Sequence, residues 1–115
     1  MDANEYQLLR SGKHILDFAT LKETQRCLLE TGHVRLAQDI TQLFVNNGID
    51  RPNYHNGIGK QYADYYRVDL PAADIELIVS MFLDEEVNAL TANFETTPAA
   101  SFYASLLDKW NGLIP

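Results

Sequence analysis

The apolar run between Tyr65 and Leu90, YYRVDLPAADIELIVSMFLDEEVNAL, leaves this chain little freedom, because so much hydrocarbon in so short a span has to be buried against something else. Pro71 suits the first turn of a helix, where its missing N–H has no intrahelical partner, and Asp69 just before it is a plausible cap. At about 100° per residue, Ile75, Ile78, Val79, Phe82 and Leu83 share one broad face, which reads as core. Leu77 and Met81 fall on the other side. A helix apolar nearly all round is expected to be central and touched from two directions, or to bury Leu77 and Met81 between copies in a homodimer.

Continuing that helix would carry Glu86 into the middle of the apolar face, where a lone carboxylate is costly to desolvate. The sequence therefore predicts a break near Leu83. Asp84 then caps a second helix with apolar positions Val87, Leu90 and Phe94, and Glu85 and Glu86 sit at its positive N-terminal end. In a continuous helix, Glu86 becomes a buried carboxylate that needs a counter-charge or a raised pKa.

The charge is lopsided. The chain carries a net charge of −7, yet residues 1–67 hold eight basic and eight acidic side chains and balance to zero. From Val68 to Leu107 there is no Lys or Arg, while Asp69, Asp74, Glu76, Asp84, Glu85, Glu86 and Glu95 are all negative. Such a surface repels phosphate backbones and anionic lipid and steers a basic protein toward itself. The plainer reading is a solvated face that keeps a small protein soluble.

A length of 115 residues suits one domain that needs no disulfide or metal staple. No apolar run approaches the roughly 20 residues that span a bilayer, and the start, MDANEYQLLR, has neither a basic leader with an apolar segment nor a cleavage site. With Cys27 alone and unable to form an intramolecular disulfide, a cytoplasmic location is expected.

Taken in order, residues 3–18 read either as helix, the preferred reading, or as a hairpin around Ser11-Gly12 that pairs Tyr6–Leu9 with His14–Phe18. Thr20 and Glu23 have the spacing of a capping box, with a helix from Leu21 to Thr31 that Gly32 ends. From His33 to Asn47, the residues Val34, Leu36, Ala37, Ile40, Leu43 and Phe44 make one apolar face. Two helices meeting at a glycine invite a DNA-reading interpretation with Arg35, Gln38 and Gln42 in a groove. It fails, because Gln38 and Thr41 fall where that motif needs apolar packing and Asp39 would sit among the groove-facing residues.

Residues 49–61 lack periodicity, and loops longer than about 12 residues tend to be functional or mobile. Asn53, Tyr54, His55, Asn56 and Lys60 there combine hydrogen-bonding groups with aromatic area. Tyr62 to Leu70 alternates, with Tyr66, Val68 and Leu70 on one side and Tyr65, Arg67 and Asp69 on the other, as in a short strand that needs a partner. Thr97-Pro98 announces a last helix with Ala99, Phe102, Tyr103, Leu106 and Trp110 at helical spacing, stopped by Gly112.

Catalytic motifs are missing or fragmentary. Gly57-Ile58-Gly59-Lys60 resembles part of a phosphate-cradling loop, but Gln61 replaces the required Ser or Thr. His14, His33 and His55 lie on separate segments without ligand spacing, and Cys27 among leucines reads as a small buried hydrophobe. The tyrosines Tyr54, Tyr62, Tyr65 and Tyr66, joined by Trp110, make either an interface patch or plugs at the core rim.

The expected fold is mainly α: a single-domain helical bundle over residues 1–115 with about five helices and room for a small β element at residues 5–18, 64–70 or both. The expected function is a non-enzymatic protein–protein interaction module, an adaptor, regulator or inhibitor. It would use the acidic C-terminal surface and the 53–66 loop, with Asn53, Tyr54, His55, Asn56, Lys60, Tyr65, Asp84, Glu85 and Glu86 at the contact. Neither metal nor cofactor is implied, and direct nucleic-acid or membrane binding is disfavoured. The competing readings are a small enzyme or ligand binder with a pocket around Tyr54, His55 and Lys60, and an inhibitor whose carboxylates imitate nucleic-acid phosphates against a basic protein.

Overall fold

A computed structural model describes residues 4, 14–49, 64–90 and 95–114. The elements run β1 (Ile15–Asp17), α1 (Phe18–Glu30), α2 (Val34–Asn46), β2 (Tyr65–Arg67), α3 (Ala72–Asn88) and α4 (Pro98–Asn111). The protein is mainly helical with one small sheet, as its periodicity predicts. Among the described residues there are four helices rather than about five: the two helices expected to meet near Leu83 are one, and residues 15–17, read as the end of a first helix, form a strand. The chain comprises two compact units, Met1–Asp69 and Leu70–Pro115.

In the first unit, β1 and β2 pair antiparallel with Leu16 opposite Tyr66. Phe18 N donates to Asp64 O at 2.9 Å and Val68 N donates to His14 O at 2.7 Å, extending the ribbon at both ends. The other edge of β2 is occupied by residues 47–49, where Arg67 N donates to Asn47 O and Ile49 N donates to Tyr65 O. Tyr66 and Val68 are buried while Arg67 and Asp69 are exposed, so the alternation read from the sequence holds. The helical reading of residues 3–18 fails over Ile15–Asp17. There His14 takes a positive φ of 68°, which a right-handed helix cannot contain, and the following backbone groups pair with β2. The Tyr6–Leu9 arm of the expected hairpin lies outside the described residues.

Helix α1 begins three residues before the expected start, and its cap is Asp17 rather than Thr20. The Asp17 carboxylate accepts from Thr20 N at 3.2 Å and from the Thr20 hydroxyl at 2.6 Å, which leaves Thr20 buried inside the first turn. Glu23 instead pairs with Arg26 on the surface. The glycine stop is as predicted: at Gly32 φ is +84°, His33 N donates to Leu28 O, and Gly32 N donates to Leu29 O, a Schellman closure.

Helix α2 then folds back on α1, with the Gln25 amide donating to Thr41 Oγ1 at 2.5 Å. Its buried face is Leu36, Ala37, Ile40 and Leu43, with Phe44 half-buried. Val34, expected on that face, is 51% exposed because it lies at the hairpin tip, beyond the end of α1. Phe44 closes the open side, 5.1 Å from the Tyr66 ring edge-on and 5.3 Å from Phe18.

In the second unit, α3 and α4 pack as a hairpin. Pro71 is the N-cap rather than the first helical residue, and Asp69 plays no capping part. Thr97 and Pro98 open α4 as predicted: Ala100 N donates to the Thr97 hydroxyl oxygen at 3.0 Å. The same hydroxyl donates to Ala89 O at 2.7 Å and fastens the end of one helix to the start of the next.

The buried face of α3 is Ile75, Ile78, Met81 and Phe82, and each such side chain contributes about 1.5–3 kcal/mol on removal from water. It is turned toward Met81 from the expected face, so Met81 is inside and Leu83 is 50% exposed. The same turn moves Glu86 to the margin of the face, where it is half-buried. The desolvation cost that argued for a break does not arise, and the helix continues to Asn88. On α4, Ala100, Leu106 and Trp110 are buried, whereas Ala99 and Phe102, expected inside, face solvent.

Candidate functional site

Helix α3 carries the acidic residues that the sequence singles out, in an electrostatic setting opposite to the expected one. The sequence places Asp84, Glu85 and Glu86 at the positive N-terminal end of a helix. In the structure they stand in the last turns of a 17-residue helix, the end at which the aligned backbone dipoles leave partial negative charge. No basic side chain occupies the last turn. Among the described residues, none of the three makes an ion pair. Asp84 is exposed, and Glu85 and Glu86 are half-buried.

Three consecutive helical residues are spread over roughly 200° of the circumference. The carboxylates therefore ring the end of α3 rather than forming one flat face. Glu76 is exposed two turns earlier on the same helix, and Asp69 and Glu95 are exposed outside it.

Between these carboxylates lies apolar surface that the sequence reading assigned to the core. Ile75, Val79, Leu83 and Val87 form an i, i+4 series, and such a series drifts around a helix rather than staying on one face. Ile75 is buried, Val79 is half-buried, and Leu83 and Val87 are each 50% exposed. The signal was present in the sequence. Carrying the helix one turn past Leu83 shows that the i+4 series leaves the buried face while Ile78, Met81 and Phe82 remain on it.

The other expected site residues are placed differently. Tyr65 lies in β2, half-buried, in the first unit, and its carbonyl is occupied by Ile49 N. Asn53, Tyr54, His55, Asn56 and Lys60 lie outside the described residues. Met81, expected with Leu77 at a contact between copies, is 6% exposed within the chain and has no surface to offer. Cys27 is buried, as its leucine neighbours suggested. Among the described residues, no group of three or more His, Cys, Asp or Glu side chains is placed to hold a metal ion, and no helix is long and apolar enough to cross a membrane.

Comparison with protein-family models, with curated proteins and with solved structures gives no match to this chain.

Proposed function

We propose that this chain is a non-enzymatic interaction module that binds a basic protein partner through the acidic end of α3. The observation that carries the proposal is the placement of Glu85 and Glu86 in the last turn of a helix whose own dipole disfavours them, with no ion pair to either among the described residues. A basic side chain from outside would relieve both the mutual repulsion and the helix-end field. In a 40-residue segment, Val68 to Leu107, that lacks Lys and Arg, it cannot come from the neighbouring sequence. Electrostatic complementarity of this kind raises the association rate and selects against acidic partners. Of the expected 53–66 loop, residues 65 and 66 belong to β2 and Tyr66 is buried; the stretch with Tyr54, His55 and Lys60 is retained as a further contact on its composition alone.

Affinity capture from the source cell, with the intact chain and with an Asp84→Asn/Glu85→Gln/Glu86→Gln form, tests the reading. Proteins of high isoelectric point should be retained by the intact chain at low salt, be released as salt rises, and be missing from the neutralised form. Equal retention by both forms would refute it.

A further inference from the structure

The partner surface can be specified more closely, because the carboxylates flank an apolar ridge that stays exposed among the described residues. On a helix, residues four apart form ridges that fit the grooves of a second helix. Val79, Leu83 and Val87 are such a ridge, half-buried at its first member and 50% exposed at the other two. It runs about 12 Å along the axis at 1.5 Å per residue. Glu86 follows Leu83 by three residues and borders the ridge on one side. Asp84 precedes Val87 by three and borders it on the other, with Glu76 at the upper end. All three carboxylates reach solvent.

We infer that this ridge seats the apolar face of a basic amphipathic helix supplied by a protein partner, whose Lys or Arg side chains on both flanks meet Asp84, Glu86 and Glu76. The inference rests on the interaction-module reading and names the partner's chemistry. Charge selects this occupant over the other two that an exposed apolar ridge invites. A second copy of the chain, docked face to face, would bring the same carboxylates together across the two-fold axis. An anionic membrane would be repelled by them.

The test uses the full chain and three probes: a peptide with leucines at i, i+4 and i+8 flanked by lysines, a scrambled peptide of the same composition, and oligolysine of equal charge. Binding is read by fluorescence anisotropy. The amphipathic peptide should bind more tightly than both controls. Leu83→Ser/Val87→Ser should weaken it by about tenfold or more. Asp84→Asn/Glu86→Gln should weaken it and flatten its salt dependence, and Val45→Ser, at a 72% exposed position on α2, should change nothing. Helical circular dichroism and the fluorescence of Trp110 establish that each variant is folded.

Equal binding of all three probes, or undiminished binding by the Leu83/Val87 form, overturns the amphipathic-helix inference and leaves the acidic-surface reading standing. Failure of every basic probe, oligolysine included, counts against both. Concentration-dependent dimerisation in sedimentation that is lost in Leu83→Ser/Val87→Ser makes the second copy the occupant and overturns the inference.

Discussion

Replacing Glu85 and Glu86 by glutamine should make the second unit more stable, although it removes two charged side chains from a helix. Glutamate and glutamine have nearly the same helix propensity, so the exchange isolates charge. A carboxylate in the last turn opposes the helix dipole by about 0.3–1 kcal/mol at low ionic strength, so two of them together cost about 1 kcal/mol. No cation in the last turn offsets this, and neither residue makes an ion pair among the described residues.

The reporter is built in. Trp110 is the single tryptophan, fully buried, on the helix that packs against α3. Urea unfolding followed by its fluorescence should show the midpoint of the double variant raised by roughly half a molar, given a slope of about 1–3 kcal/mol per molar. In about 1 M salt, where the screening length falls to about 3 Å, the gain should vanish. No gain at low salt, or an equal gain at high salt, would refute the helix-end argument. The same variant should bind a basic partner more weakly, so stability and binding move in opposite directions, as expected where a protein retains an unfavourable feature for use.

Other outcomes follow from the local structure. Gly32→Ala should cost about 1–2 kcal/mol, purely from the left-handed backbone since no atom crowds the new methyl, with Gly32→Asn costing less. Exposure of buried Cys27 to a thiol reagent during unfolding measures it, and an alanine form as stable as the original would refute it. Asp17→Ala should cost about 1 kcal/mol by the same assay, and Glu23→Ala at most about half of that, reversing the order a Thr20–Glu23 capping box requires. Phe82→Ala should cost about 3–5 kcal/mol in the Trp110 assay, whereas Phe102→Ala, at a 48% exposed position, should cost far less.

Much of the helical layout was legible because its signals are local. Gly32 ends α1, Thr97-Pro98 opens α4, and Tyr66 and Val68 alternate with Arg67 and Asp69 without help from distant residues. Each of these depends on backbone sterics or on a hydrogen bond within a few positions. The 17-residue length of α3 was not legible, because the argument for a break assumed that the buried face would keep the direction set by Ile75 and Val79. Which arc of an apolar helix is covered depends on where its neighbour lies, and α4 meets α3 on the Met81 side.

The two short strands show the same division. Residues 62–70 alone read as an alternation and residues 14–18 as helix or one arm of a hairpin, but pairing Ile15–Asp17 with Tyr65–Arg67 joins segments about 50 residues apart, and only the closed fold brings them within hydrogen-bonding distance. The candidate site combines both levels. That residues 68–107 hold seven carboxylates and no basic side chain is settled by composition alone. That Glu85 and Glu86 occupy the negative end of a continuous helix, beside the exposed Leu83 and Val87, was decided by tertiary packing, because the side of α3 buried in the fold includes Met81 and leaves Leu83 and Val87 in water.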